Sequence, residues 1–270
     1  MTTSSTFHRS CASGPVLDGA AVLWTGRTEG DLAVPPGRAQ DAALDRLAGL
    51  AGRPVSWLHQ VHGAGVAVVA PDRPGCGRGE DGDALVTTGA EALAVMTADC
   101  SPVALISPEG VIAAVHAGWR GLVAGVIQST VATMRSLGAV HVEAALGPCI
   151  HAECYEFGDP QLAEVAARFG RQVRSETTTG RPALDLPVAV RAALDEAGAT
   201  LVHDDGGCTA CAADRFFSHR ARRERQRQAM VVWKVAVDEG STMVRVGRAL
   251  FGPRSGPRDL RRYSDPTGGW

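Results

Sequence analysis

Residues 96–121, MTADCSPVALISPEGVIAAVHAGWRG, decide how the rest of the chain is organised. Two short apolar runs, 102–106 and 111–115, are rich in β-branched residues and flank a typical turn sequence, Ser-Pro-Glu-Gly. They predict a β-hairpin whose turn centres on Pro108 and Glu109. In that register Ser101 faces His116, so a thiol at Cys100 and an imidazole at His116 lie together at the open end of the hairpin. A one-residue bulge would shift the register without separating them by much.

The residues after His116 change to helical periodicity, which continues to a stop at Gly138. His116 therefore lies where a strand gives way to a helix. The glycines of HAGWRG allow a tight turn, and free N–H groups at the helix start, with Arg120 beside them, suit an anion such as phosphate. The alternative is that the glycines only form the turn and that Arg120 faces solvent.

Working outward, the patterns predict further short strands and three more helices. The predicted strands are 20–24, 55–63, 66–70, 84–87, 92–97, 141–146, 201–203 and 229–237, and the predicted helices are 38–50, 159–169 and 187–197. A polar loop is expected at 175–181. Because strands and helices mix without strict alternation, we expect one α+β domain with a mixed sheet over residues 19–237. Residues 1–18 are predicted to be a flexible N-terminus and 238–270 a mobile tail.

Composition excludes several classes of protein. Of the 270 residues, 45% are hydrophobic, enough for a sizeable core, and a formal charge of −2 gives no general attraction to nucleic acid or to an anionic membrane. The polar N-terminus and the broken apolar runs do not resemble a signal peptide or a spanning segment, so we expect a soluble cytoplasmic protein. Seven scattered cysteines suit a reducing compartment better than a disulfide framework.

His62, Cys100 and His116 form the leading candidate site. One thiolate and two imidazoles match the ligands of a zinc site with an open fourth position, where a water or a substrate oxygen is activated. A cysteine nucleophile with a histidine base needs the same neighbours. Each residue taken alone is also consistent with a buried cysteine or a hydrogen-bonded histidine.

Three other features are weaker candidates. Cys208 and Cys211 form a C-x-x-C pair without a matching second pair. Six arginines between 215 and 227 could grip phosphate or nucleic acid, although a solvated helical face explains them more simply. His59 is interpreted as structural.

Several motifs together resemble the YfiH family, also called the laccase-domain or polyphenol-oxidase-like family. They are LHQVHG at 58–63, DALVT at 83–87, TADC at 97–100, HAGWRG at 116–121, LGPCI at 146–150 and YEFG at 155–158. The resemblance implies a four-layer sandwich of mixed β-sheets with flanking helices in a single domain. It also implies a metal site, with zinc or else copper, whose cysteine and two histidines fall on His62, Cys100 and His116.

Members of this family are described as purine nucleoside phosphorylases that also accept methylthioadenosine and deaminate adenosine, and older descriptions call them copper laccases. The resemblance therefore implies catalysis at His62, Cys100 and His116, with adenosine, inosine, guanosine or methylthioadenosine and phosphate as small-molecule partners. We expect substrate contacts from Gln60, Asp83 and Arg120, no nucleic-acid or membrane partner, and a monomer or weak homo-oligomer. The chain contains eight histidines, few for multi-copper oxidase chemistry.

Three alternatives stay open: a Cys-His hydrolase or amidase that edits a cell-wall precursor, a copper polyphenol oxidase, and a non-catalytic metal-containing binding module. Two segments depart from the family pattern. The segment 24–34, WTGRTEGDLAV, is shorter than the usual Thr-x-Arg-x-Gly-Gly segment. Near the end, His219 stands where the family has tyrosine.

Overall fold

A computed structural model describes residues 14–17, 19–34, 38–72 and 78–235. The strands within these ranges are β1 Val16–Leu17, β2 Ala20–Trp24, β3 Val55–Ser56, β4 Val66–Val69, β5 Ala84–Thr87, β6 Ala92–Thr97, β7 Ser101–Ile106, β8 Ile112–Ala117, β9 Glu143–Leu146, β10 Arg174–Glu176, β11 Pro182–Leu184, β12 Thr200–Asp204 and β13 Gln228–Lys234. The helices are α1 Arg38–Ala51, α2 Trp119–Ala124, α3 Val126–Ser136, α4 Asp159–Phe169, α5 Leu186–Ala197 and α6 His219–Arg222. Cys11, Cys76 and the predicted tail 238–270 lie outside the described residues.

The strands form two mixed sheets and a small hairpin. The first sheet has five strands in the order β1-β2-β13-β6-β3, and the second has six in the order β12-β9-β7-β8-β5-β4. Each sheet contains antiparallel pairs together with at least one parallel pair, β3 with β6 in the first and β4 with β5 in the second. The mixed sheets predicted for this chain are confirmed.

Alternation along the strands stacks the two sheets and covers both outer faces. The inward faces meet in one apolar cluster that includes Trp24, Leu93 and Met230 of the first sheet with Ile106 of the second. Helix α1 packs on the outer face of the first sheet through Leu47. Helices α3, α4 and α5 cover the outer face of the second sheet. The result is helix, sheet, sheet, helix, the predicted four-layer sandwich.

The central hairpin forms as predicted, but its register differs by one residue. Ser101 pairs with Ala117, and Pro102, not Ser101, pairs with His116. The predicted turn is present, with the Gly110 N–H donating to the Ser107 carbonyl at 2.9 Å. Gly110 adopts φ +84°, which glycine tolerates, and lengthens the loop between the strands by one residue relative to the predicted turn. This extra loop residue shifts the register.

Three element predictions were wrong in detail. The predicted strand 55–63 ends at Ser56, because the Gln60 side chain takes the place of strand backbone beside β6. Its amide donates to the Met96 carbonyl at 2.7 Å and accepts from the Met96 N–H at 2.8 Å. The helix predicted after His116 is broken in two at Gly125, which has φ +88°. The predicted polar loop 175–181 includes part of the β10–β11 hairpin.

Part of the predicted N-terminal segment is ordered in the first sheet. Within the predicted N-terminal segment 1–18, Val16–Leu17 pairs with the first residues of β2. Across the described ranges, no helix combines the length and the apolar character needed to cross a membrane.

Candidate active site

The two strands of the central hairpin deliver Cys100 and His116 to the same edge of the sandwich. On β8, Ile112 and Ala114 face the apolar layer between the sheets, and strand alternation places His116 on that same face. Cys100 precedes β7, where Ala104 and Ile106 face that layer too. The one-residue shift in register therefore leaves the thiol and the imidazole together, as expected.

A buried carboxylate, Asp83, brings the third residue to this edge. It lies just before β5, is 0% exposed, and accepts hydrogen bonds from the backbone N–H groups of His62 at 2.9 Å and Gly63 at 2.6 Å. It also accepts from His116 Nδ1 at 2.8 Å. Burial raises the pKa of Asp83, but its hydrogen bonds to His116 and Gly63 outweigh this and lower it. His62 has φ +61°, a conformation that these bonds hold in place.

The three side chains form a compact group that we call the triad: His62, Cys100 and His116. One donor atom from each lies within 4.8 Å of the others. The His62 and His116 rings meet edge to face at 4.8 Å between centroids. Gly118, the N-cap of α2, leaves the space for this approach, since a Cβ there would lie 3.0 Å from Cys100 Sγ and 3.2 Å from His62 Cδ2.

Charge at the triad is arranged as a thiolate beside an imidazolium. Burial raises the pKa of Cys100, but the charge of His116 and hydrogen bonds from both histidines lower it to about 6. Burial lowers the pKa of His116, but the Cys100 charge and the Asp83 hydrogen bond raise it to about 9. At neutral pH the metal-free site therefore holds a nucleophilic sulfur.

The triad also fits a metal ion. Because the Nδ1–H of His116 donates a hydrogen bond to Asp83, Nε2 is the nitrogen left for a ligand, the arrangement that orients histidine in metal sites. A thiolate and two imidazoles are the donors that zinc and copper share. His116 is buried and His62 is exposed, so an ion held by the triad would be anchored on its buried side and accessible to substrate on its solvent side.

The triad lies in a cavity of about 630 Å³ that also receives the arginine-rich segment 215–227. Four arginines and a histidine also line it: Arg120, His219, Arg220, Arg225 and Arg227. Aromatic side chains of Trp57, Trp119 and Tyr155 complete it. The cavity therefore combines a thiolate–imidazole site, flat apolar surfaces and excess positive charge.

Two acidic residues, the buried Asp99 and the half-buried Glu224, hold the arginine-rich segment in this place. Asp99, with φ +94°, accepts from the Arg220 backbone N–H at 2.6 Å and from Thr209 Oγ1 at 2.7 Å. The Arg220 guanidinium lies over the Tyr155 ring, 4.7 Å from its centroid. Glu224 pairs with both Arg27 and Arg222 and accepts from the Ser218 N–H at 2.8 Å. The interpretation of 215–227 as a helical face was wrong, since the only helix in this segment spans His219–Arg222. Four of its side chains line the cavity, while Arg215, Arg220, Arg223 and Arg225 have the exposure expected of a solvated face.

The three predicted substrate contacts occupy different environments. Arg120 is exposed in the cavity and packs its guanidinium over the Trp119 ring at 4.5 Å. Gln60 also lines the cavity, but its amide is already bonded to the Met96 backbone. Asp83 is buried beneath the triad, so its position does not agree with direct substrate contact and assigns it to orienting His62 and His116. Helix α2 has only 6 residues, too short to provide much of the positive charge expected at a helix start. The positive charge of the cavity therefore comes mainly from its arginines.

Sequence reasoning missed the residues that support the triad. Asp99 and Gly118 carry signals that could have been used, an aspartate directly before Cys100 and a glycine two residues after His116. The approach of 215–227 to the cavity depends on contacts between residues more than a hundred positions apart, such as Asp99 with Arg220. Local periodicity contains no record of such contacts.

Comparison with known proteins places this geometry in context. A family model described as multi-copper polyphenol oxidoreductase laccase matches residues 36–235. A Streptomyces coelicolor protein named purine nucleoside phosphorylase is 46% identical over 189 residues, which cover 66% of this chain and 74% of that protein. A Streptomyces griseus protein of the same name is 39% identical over 247 residues, covering 84% of this chain and 98% of that protein.

The fold is shared with solved structures. A crystal structure of a Neisseria meningitidis protein of the DUF152 family superimposes with a TM-score of 0.72 at 30% sequence identity. The match covers 83% of this chain and 97% of that one. The predicted resemblance and the predicted sandwich are both confirmed.

Proposed function

Because this chain belongs to the laccase-domain family of YfiH and DUF152 proteins, we propose that it is a metal-dependent purine nucleoside phosphorylase. Its substrates are purine nucleosides and inorganic phosphate, and its products are a free purine and ribose 1-phosphate. The names of the two Streptomyces relatives support this activity. We further propose that residues 19–237 form the catalytic domain.

One observation carries the proposal: the triad shares a single cavity with Arg220, Arg225 and Arg227 of the segment 215–227, which we call the arginine-rich wall. Phosphorolysis joins a phosphate oxygen to C1′ of the ribose and breaks the bond from C1′ to the purine nitrogen. A site for this reaction needs cationic groups for phosphate on one side and a group that stabilises the departing base on the other. The cavity offers both.

The chain's own residues divide this work. Arg120, Arg220 and Arg225 bind and orient phosphate, since guanidinium groups form charge-assisted hydrogen bonds with it. The rings of Trp57 and Tyr155 offer flat apolar surface to a purine. Burial raises the pKa of Tyr155, so its hydroxyl stays protonated and can donate a hydrogen bond to the departing base.

His62, Cys100 and His116 would hold the metal ion, and we propose zinc. When bound, the ion supplies a Lewis acid beside the leaving base and, for adenosine deamination, a means of activating water. Asp83 keeps the His116 ring in the orientation that leaves Nε2 free for the ion. Deamination of adenosine is proposed as a side activity of the same site.

The experiment is product analysis of adenosine incubated with the metal-loaded protein, with and without phosphate. The proposal predicts adenine and ribose 1-phosphate only when phosphate is present, and inosine as a phosphate-independent minor product. Product formation without consumption of oxygen distinguishes a phosphorylase from a polyphenol oxidase, which consumes oxygen. No adenine in any phosphate concentration would overturn it.

A second function is favoured by one specific observation, the approach of the Cys100 thiol to the His116 imidazole, which also lowers the pKa of that thiol. Such a pair is the nucleophile and base of a cysteine hydrolase or amidase. That function requires a covalent acyl adduct on Cys100 in the metal-free protein. Mass spectrometry after incubation with a peptide-containing cell-wall precursor detects the adduct if it forms.

A further inference from the structure

A second group of sulfur atoms lies away from the cavity, where the turn Ala152–Cys154 meets the loop between β12 and α6. Cys154 comes from the turn, and Cys208 and Cys211 come from the loop. Donor atoms of these three cysteines and of Glu153 all lie within 4.8 Å of one another. We propose that this cluster is a second metal site, which takes a thiophilic divalent cation such as Zn²⁺.

The distances suit a tetrahedral ion after small side-chain rotations. Cys154 Sγ lies 3.2 Å from Cys211 Sγ, and Cys211 Sγ lies 3.8 Å from a Glu153 carboxylate oxygen. In a tetrahedral zinc site with bonds of about 2.3 Å, neighbouring sulfur atoms lie about 3.8 Å apart. Three thiolates and one carboxylate then complete the coordination. This donor set favours zinc over magnesium or calcium, which prefer oxygen.

Backbone hydrogen bonds join the loop that carries Cys208 to Cys149, which lies just before the turn that carries Glu153 and Cys154. The Cys149 N–H donates to the Gly207 carbonyl at 3.1 Å, and the Thr209 N–H donates to the Cys149 carbonyl at 3.0 Å. Cys208 is buried and Cys211 is exposed, so the site has both an anchored ligand and an entry path. A disulfide between Cys154 and Cys211 would use two of the four donors and leave the convergence of the others unexplained.

The cluster is linked to the wall of the cavity through the loop that carries it. Arg222 donates to the carbonyls of Ala210 at 2.9 Å and Thr209 at 3.2 Å. The Thr209 hydroxyl donates to Asp99, the residue that fixes the Arg220 backbone. An ion at the cluster would therefore support the arginine-rich segment from behind.

The test uses the Cys100→Ala protein, purified in reductant without oxygen, so that the triad contributes no thiolate. Titration with Co²⁺ should produce sulfur-to-cobalt charge-transfer absorption that saturates at one ion per chain. The double variant Cys100→Ala, Cys211→Ser should lose this absorption. The matched control is Cys100→Ala, Cys149→Ala, which removes a nearby cysteine outside the cluster and should keep it.

Three results overturn the proposal. The first is absence of charge-transfer absorption in the Cys100→Ala protein, and the second is its persistence at full strength after Cys211→Ser. The third is measured on protein purified without reductant: an intact mass lower by two hydrogens that reductant restores identifies a disulfide instead. If Cys211→Ser fails to fold, the titration of Cys100→Ala with its Cys149→Ala control decides the matter alone.

Discussion

At the scale of single residues, the pairing of Cys100 with His116 sets the chemistry of the metal-free site. Neither residue alone would be charged to this extent at neutral pH, because burial opposes both charges. Each charge is maintained by the other, and Asp83 stabilises the imidazolium from the far side. The pair persists between the pKa of the thiol, about 6, and that of the imidazole, about 9.

The lowered pKa of Cys100 predicts how its alkylation depends on pH. In protein stripped of metal, the rate of reaction with iodoacetamide should rise with a midpoint near pH 6, because the thiolate is the reactive form. Mass spectrometry of the modified peptide measures this rate directly. A midpoint near pH 9, the ordinary value for a thiol, would show that no such ion pair exists. Cys149 is a useful internal reference, since burial raises the pKa of its thiol.

Asp83 is predicted to set metal affinity without touching substrate. Asp83→Asn keeps the size of the side chain but removes its charge and replaces one acceptor oxygen by an NH2 group, so the hydrogen bonds that orient His62 and His116 are weakened. We expect zinc affinity to fall about 10- to 100-fold, as for other residues that orient ligating histidines. Competition with a chromophoric chelator measures it. Asp81→Asn, an exposed carboxylate paired with His59, is the matched control and should leave affinity unchanged; equal losses in both variants would contradict this role.

At the scale of elements, the approach of the β8–α2 turn to Cys100 depends on a missing side chain at Gly118. Gly118→Ala would place a methyl group against the Cys100 sulfur and the His62 ring. We expect loss of metal with little change in fold, since the rest of the sandwich is not involved. Metal content after dialysis is the measurement. Gly49→Ala in α1 is the control, because a Cβ there meets nothing within 4 Å and alanine favours a helix by about 1 kcal/mol.

The arginine-rich segment gives a prediction about phosphate. Arg225→Ala removes a cation from the cavity, so we expect KM for phosphate to rise about 3- to 10-fold, as for loss of one charge-assisted hydrogen bond, with kcat much less affected. Steady-state kinetics at fixed ionic strength provide both values. Arg223→Ala removes the same charge from the same segment without lining the cavity. The assignment would be wrong if both variants raised KM equally.

Most elements, and part of the site, could be predicted because they depend on local patterns. Short, continuous apolar runs predict β2, β5 and β6, and the two apolar runs on either side of the turn predict that Cys100 lies near His116. The exceptions are places where a side chain or a glycine replaces regular backbone pairing. Gln60 ends the strand at Ser56, and Gly125 divides the helix after His116.

At the scale of the whole molecule, the site is built where three separate parts of the chain meet at one end of the sandwich. The loop 57–63, the central hairpin and the segment 215–227 reach this end from different sheets or loops. Glu224 joins the last of them to Arg27 near the N-terminus. The position of the arginine-rich wall depends on such long-range contacts, which sequence patterns do not reveal. The approach of Cys100 to His116 depends on a local hairpin, so that part of the site could be predicted from sequence.

The central claim, that the triad and the arginine-rich wall together catalyse phosphorolysis, is tested most directly by one measurement. It is the rate of ribose 1-phosphate formation from inosine and phosphate, with metal content determined on the same samples, for the natural protein and for Cys100→Ala and His116→Ala. The account predicts turnover in the natural protein and loss of both metal and turnover in each variant. Full turnover in either variant, or bound metal without ribose 1-phosphate in the natural protein, would contradict it.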